Sequence, residues 1–431
     1  MIKKYRAVKL LLMSCVILNI CSYSIMAQEI VINGGVVNHA VYGNGTDPDG
    51  TPILTGYPVV KYISNNIVTI QGGAEVKNDV FGAMSVGYGE VISNKVTITN
   101  GNIAGEAYGG KSNKGIVQGN ILEMTGGIIN NDAFGGYGDT NALTNKLTIT
   151  NGNIVGKAYG GKSNKGIVLN NILEMTGGTI NKDAFGGYGD GDAISNTLNV
   201  SSGTIKGNVM GGKSLVNANN NKVIISGGEF LANVYGGKSE KGEAVGNTVK
   251  ISGAPKFSSN TVIYGGHVTT NEAAKVFTGN TLNLETENPV VLKGVENFEH
   301  YNFEKVTVNA PAVLQVVDGV NLWSSKVEVK LEGEAKEGDT VTLIESQGIV
   351  SIVNSLNLYK GLVVYEYKMV EKNPNVLALV LKNSRLIPQA QVINEVASAG
   401  IVLVGQGIGF IAGRGVEEAI GAVKGKECIE V

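Results

Sequence analysis

The segment at 108–139, YGGKSNKGIVQGNILEMTGGIINNDAFGGYGD, recurs almost verbatim at 159–190, an offset of 159 − 108 = 51. Inside it sits a shorter unit. Asn opens an Asn-x-apolar-x-apolar run at Asn66, Asn94, Asn120, Asn145, Asn171, Asn196, Asn221, Asn247 and Asn280, in steps of 28, 26, 25, 26, 25, 25, 26 and 33. Nine residues after six of these Asn stands a large apolar residue (Ile103, Ile129, Ile154, Ile180, Ile205, Phe230). Fourteen after them comes Tyr108, Phe134, Tyr159, Phe185, Met210 or Tyr235, each followed by Gly-Gly. A period of this length marks a repeat architecture in which one unit cannot bury its own apolar face and stacked units bury a continuous column.

Within a unit the period is two. In Asn145-Lys-Leu147-Thr-Ile149-Thr, the residues Asn145, Leu147 and Ile149 share one face, while Lys146, Thr148 and Thr150 take the other, the pattern of a half-buried strand. Turn dipeptides follow (Asn151-Gly152, Gly177-Gly178, Ser202-Gly203), then a second short strand. The expected fold is all-β: a parallel β-solenoid, a right-handed β-helix with rungs of about 25 residues stacked at about 4.8 Å. A β-prism or an array of hairpins is the structural alternative, and the repeat alone does not fix handedness. Leu147 is expected between Leu122 and Leu173, and Ile149 between Met124 and Met175. The Asn residues are expected to point inward at a corner and form a structural ladder from rung to rung that satisfies buried amides.

Composition removes whole classes of function. The formal charge is 35 − 37 = −2, and the only Arg residues are Arg6, Arg385 and Arg414. Binding nucleic acid requires clustered cations, Arg forks in particular, so no nucleic-acid partner is expected. Hydrophobic residues at 43% against 17% charged supply enough apolar surface to order the chain. The N-terminus reads as a signal peptide over 1–27: Lys3, Lys4, Arg6 and Lys9, then apolar Leu10 to Ile20, then small and polar residues up to Ala27. Cleavage there removes Cys15 and Cys21 and leaves Cys428 alone, so no disulfide framework forms within one mature chain.

Several motifs resemble chemistry without its context. Gly105 to Ser112, Gly156 to Ser163 and Gly207 to Ser214 each match G-x-x-x-x-G-K-[ST]. A phosphate loop needs a following helix N-terminus, whereas another period-two strand follows here, so no nucleotide is expected. Asp47, Asp49, Asp139, Asp190 and Asp192 read as solvated turn residues, with weak cation binding at turn corners the alternative. Ala83-Met-Ser85-Val-Gly87 is one residue short of a nucleophile elbow, and His39, His267 and His300 lie in no motif. Two irregular rungs hold Lys77, Asp79, Glu90, His267 and Glu272 as the best candidates for a catalytic cluster. The expected catalytic, cofactor and metal residues are none. The Tyr and Lys columns are candidates for binding glycans or partners, and a solvated face explains them equally well.

From about Pro289 the repeat period vanishes while strands continue, as in Lys305-Val-Thr-Val-Asn and Val376-Leu-Ala-Leu-Val-Leu. An open solenoid end needs a cap, and this segment, lone Trp323 included, is read as that cap. Here the layout resembles a bacterial autotransporter passenger of the type V secretion family. The signal peptide, the Gly-Gly rungs, Asn297-Phe-Glu-His-Tyr-Asn-Phe303, Gly338-Asp-Thr-Val-Thr-Leu-Ile344 and Val404-Gly-Gln-Gly-Ile-Gly-Phe-Ile-Ala-Gly-Arg-Gly415 run in the family's order. The resemblance implies a helical linker threading a translocator barrel. Such a barrel needs roughly 250 residues, and only 431 − 384 = 47 follow Ser384, so the expected chain is a truncated or interrupted product, a split gene, or a protein exported by a separate translocator barrel as partner. Gln389 to Gly425, with apolar Val392, Val396, Ile401 and Phe410, is then expected to be disordered or a helix docked loosely on the solenoid.

The expected organisation is a signal peptide 1–27, a repeat domain 28–288, a β-rich C-terminal cap 289–383 and a short helical or disordered linker 384–431. The expected function is a non-enzymatic exported passenger serving adhesion or scaffolding, with a host or cell-surface glycan or protein as ligand. Its expected location is the cell surface, the outer membrane or the medium, or the periplasm where no barrel is available. The alternatives are a β-helix carbohydrate-active enzyme and a non-functional autotransporter fragment.

Overall fold

The computed structural model describes residues 24–25, 27–44, 62–269, 274–351, 355–360, 363–369 and 374–386. Asp47, Asp49, Glu272, the Gln389–Gly425 segment and most of the leader lie outside the described residues. The chain is all-β, 58% strand and 1% helix, wound into a parallel β-solenoid of about 11 turns.

One turn shows the plan of the repeat region. Lys146–Ile149 is followed by Asn153–Ile154, Ala158–Ser163 and Val168–Leu169. Each strand lies parallel to its equivalents one turn below and above, which makes four sheets along the rod. We refer to the stacks through Val168–Leu169, Lys146–Ile149, Asn153–Ile154 and Ala158–Ser163 as the first, second, third and fourth sheets. Leu122, Leu147 and Leu173 stand in register and are fully buried, and Ile149 lies between Met124 and Met175. Burial of each such side chain contributes about 1.5–3 kcal/mol, so the interior file is a principal source of stability.

The corner before the second sheet has a specific backbone cause. The residue preceding every ladder Asn has a positive φ: Asn65, Ser93, Gly119, Thr144, Asn170, Ser195, Asn220, Gly246 and Gly279 all lie between 53° and 69°. A left-handed residue reverses the side-chain alternation for one step and swings the next side chain, the Asn, into the interior. The corner after the second sheet uses glycine: Gly152, with φ +112°, follows Asn151, whose Oδ1 accepts from the Gly152 N–H at 2.8 Å.

Beyond Asn280 the coil continues on irregular steps of 19, 26 and 29 residues. Thr281–Glu285, His300–Thr307, Lys326–Glu332 and Ser355–Lys360 stack in parallel on one side. Val290–Leu292, Leu314–Val316 and Thr340–Ser346 stack on the other. The expected β-rich cap therefore begins as further turns, with Phe298, Tyr301 and Phe303 of the Asn297–Phe303 motif each only 1% exposed. Closure comes from an antiparallel pair. Val363–Met369 pairs with Ser355–Lys360 and with Val376–Leu386, and the latter pairs with Thr340–Ser346. This pair stitches the two parallel stacks together. Trp323 takes no part in the core and is 73% exposed.

Candidate functional site

The ladder Asn side chains form a continuous buried chain of amides. Nδ2 of Asn66 donates to Oδ1 of Asn94 at 2.8 Å, and Asn94 to Asn120, Asn120 to Asn145, Asn145 to Asn171 and Asn171 to Asn196 each at 3.0 Å. Asn196 to Asn221, Asn221 to Asn247 and Asn247 to Asn280 follow at 3.1, 3.2 and 3.3 Å. Each acceptor Oδ1 also takes the backbone N–H of the Asn below, as Asn145 does from Asn120 at 3.0 Å. The second amide hydrogen goes to a carbonyl, as from Asn145 to Val117 at 3.1 Å. From Asn94 to Asn221 each ladder member thus has every side-chain donor and acceptor occupied. The backbone N–H of Gln28 closes the lower end on Asn66, and at the upper end Asn280 donates to the carbonyl of Ala244 at 3.0 Å.

The ladder explains the Gly-Gly of each rung. A Cβ on Gly110 would stand 2.5 Å from Cγ of Asn120, and one on Gly161 only 2.2 Å from Oδ1 of Asn171. A Cβ on Gly109 would meet the backbone of Ile121 at 2.7 Å. Both glycines therefore face inward, and the fourth sheet dips there against the Asn corner. The residues on either side of the dip, Tyr108 and Lys111, both face outward and converge over it.

Two columns consequently run along the outer face of the fourth sheet. The inner one reads Tyr42, Phe81, Tyr108, Phe134, Tyr159, Phe185, Met210, Tyr235 and Tyr264, in register. Successive ring centroids from Tyr42 to Phe185 are 4.8 Å apart, and the rings stack with their planes within 8° of parallel. Tyr108 and Phe134 are buried although they lie on the outside of the sheet. Their flat faces are covered by their neighbours, so a sugar ring cannot stack on them.

The second column is half-exposed and reads Lys111, Tyr137, Lys162, Tyr188, Lys213, Lys238 and His267, in register. Nζ of Lys111 sits 4.5 Å from the Tyr108 ring centroid and 5.2 Å from that of Tyr137. Nζ of Lys162 is 5.0 Å from Tyr137 and 5.7 Å from Tyr188. Each ammonium thus rests among electron-rich ring faces. Burial lowers the pKa of Lys111 and Lys162, against the opposing pull of Glu106 on Lys111 and Asp132 on Lys162. Burial raises that of Tyr108, whose hydroxyl also donates to Glu106, and pushes Tyr264 up to about 12. The column ends at His267, whose pKa is lowered by burial and by Lys238.

The phosphate-loop look-alikes are built into this sheet. Ala107–Ser112, Ala158–Ser163 and Val209–Ser214 are strands, and the next elements are the short strands Val117–Gln118, Val168–Leu169 and Ala218–Asn219. Their serines hold the following turn: Ser112 Oγ donates to the Gly89 carbonyl at 2.9 Å and accepts from the Gly115 N–H at 2.8 Å. Ser214 does the same with Gly191 at 2.7 Å and Val216 at 2.8 Å.

The remaining candidates are dispersed. Asp139 accepts from Asn164 Nδ2 at 2.8 Å, the bond that chiefly lowers its pKa, and Asp192 accepts from Asn217 Nδ2 at 3.0 Å. Among the described residues no three His, Cys, Asp or Glu side chains converge as a metal site would require. Ser85 Oγ donates to the Gly87 carbonyl at 3.4 Å. His39 lies in the first turn beside the Ala40 carbonyl, His267 on the fourth sheet and His300 on the second beside Glu299. Lys77 is paired with Glu75, Asp79 Oδ1 accepts the Glu106 N–H at 2.8 Å, and Glu90 stands on the first sheet opposite Tyr62. The Tyr and Lys columns were candidates from the sequence, but not their convergence on one face; the signal for that was the constant three-residue gap from Tyr108 to Lys111 across Gly-Gly.

Comparison of the chain with protein-family models and with curated proteins finds no match in either set.

Proposed function

We propose that this chain is an exported, passenger-like β-solenoid that acts by adhesion or scaffolding rather than by catalysis, and that the Lys/Tyr column of the fourth sheet is its adhesive strip. One observation carries the reading: Lys111, Lys162 and Lys213 recur two turns apart with Tyr137 and Tyr188 between them. A surface repeated along a rod engages a repeated ligand by many weak, equivalent contacts, so that avidity replaces a single deep site. A catalytic centre has the opposite form, one constellation that breaks the repeat. The ligand class is a cell-surface glycan or protein that approaches through polar and anionic groups, since the ring faces are occupied. Export rests on the N-terminal segment, with its positive end and apolar run.

The test is adhesion of cells displaying the chain to host cells and to immobilised glycans. Lys111→Gln, Lys162→Gln and Lys213→Gln, singly and combined, should weaken adhesion in graded steps. Unchanged adhesion in the triple variant, or complete loss from one substitution alone, contradicts the reading. Protease accessibility on intact cells tests the location.

A further inference from the structure

We propose that two copies of this chain join head to head through the strand Glu29–Asn33, forming a twofold rod of double length. The inference goes beyond the adhesive reading and does not depend on it.

The two ends of the solenoid differ. At the C-terminal end the antiparallel pair Val363–Met369 and Val376–Leu386 covers Thr340–Ser346 with Val376–Val380 and joins Ser355–Lys360 at Tyr359 and Lys360. At the N-terminal end Glu29–Asn33 pairs, among the described residues, on one side only, with Ile67–Gln71. The carbonyl of Gln28 and the N–H of Gly34 point to that neighbour, at 2.8 and 3.0 Å. By the alternation of a parallel ladder, Glu29, Val31 and Asn33 turn their N–H and C=O groups to the open side. Val31 is 49% exposed, and Ile30 and Ile32, whose equivalents Val68 and Ile70 are fully buried one turn later, are only partly covered.

Open edges in monomeric proteins carry Lys, Pro or a bulge that blocks pairing. Residues 27–44 contain no Lys, Arg or Pro, and Glu29 is their only carboxylate. The register selects the occupant. When two such strands pair antiparallel about Val31, each Val31 exchanges both backbone bonds with Val31 of the second copy. Ile30 then faces Ile32 of the second copy on the inner side, and Glu29 faces Asn33 rather than another Glu29. The apolar column runs on from copy to copy, and no like charges meet. Because both copies use the same strand, the contact is isologous and closes at two copies instead of growing into a filament.

The experiment is sedimentation equilibrium of the full chain and of Val31→Pro and Val31→Lys. Among the described residues the Val31 N–H has no hydrogen-bond partner and the side chain is solvent-facing, so both variants keep the fold, checked by unchanged circular dichroism. The expected result is twice the chain mass for the wild type and the single-chain mass for both variants. A wild-type monomer up to its solubility limit overturns the proposal, as does a dimer that survives both substitutions. A monomer whose Val31 amide resists hydrogen exchange also overturns it, since the edge is then covered by the chain's own residues 45–61 or its leader.

Discussion

The side-chain amide of Asn120 donates to Oδ1 of Asn145 at 3.0 Å, with both residues wholly shielded from water. Eight such links tie nine successive turns. A buried amide left unpaired costs about 1–3 kcal/mol, so the ladder is cheap to keep only while it is complete.

Asn145→Ala should therefore destabilise the rod by about 3 kcal/mol or more, because it orphans the N–H and Nδ2 donors of Asn120 together. Asn145→Leu should be no better, although it restores volume, because the donors stay unsatisfied. Urea unfolding followed by circular dichroism measures both.

Gly161→Ala places a methyl group 2.2 Å from Oδ1 of Asn171. The Asn cannot retreat without breaking its bonds to Asn196, so a loss of about 1–3 kcal/mol is expected. The same change at Gly333, where an added Cβ meets nothing within 4 Å but φ is +68°, isolates the backbone cost from the clash.

Thr144 is β-branched and exposed, yet holds φ at +53°. A left-handed conformation costs an L-residue about 1–2 kcal/mol, so Thr144→Gly should stabilise the coil, by about 1 kcal/mol after the added entropy of the unfolded chain. A raised urea midpoint is the expected readout.

The recurrence of Leu122, Leu147 and Leu173 at steps of 25 and 26, each in a period-two run, was enough to place them in one interior file. The outward position of Tyr108 was not legible in that way. Strict alternation puts Tyr108 and Lys111 on opposite faces. They share one because Gly109 and Gly110 both turn inward against the Asn corner, a tertiary contact that no single strand records. The turns beyond Pro289 escaped for a related reason. Their register steps run from Thr281 to His300, then to Lys326, then to Ser355, with no ladder Asn to mark them. The left-handed corner residue was hidden by its variety: Asn, Ser, Gly and Thr all occupy it.

Glu299 accepts the Gly279 N–H at 2.7 Å, which chiefly holds its carboxyl below the usual range, with Lys326 at 3.3 Å adding to the effect. The folded value thus lies under the unfolded one of about 4.3. The bond contributes stability above that pH, and the contribution is lost as pH falls through the folded value. Glu299→Gln should lower stability at pH 7 and show a shallower acid loss than the wild type between about pH 5 and pH 3.

Stacking of the Asn-led runs in one register is tested most directly by cross-linking across two turns. Thr148 and Glu174 are outward-facing register partners on adjacent turns, at the strand spacing of about 4.8 Å, within the Cα range a disulfide spans. In a chain with Cys15, Cys21 and Cys428 changed to Ser, mild oxidation of Thr148→Cys with Glu174→Cys should close a disulfide in nearly all molecules. Thr148→Cys with Ile172→Cys, one step along the same face and beyond about 7 Å, should remain reduced. Equal cross-linking of the two pairs, or preference for the second, would contradict the stacked coil.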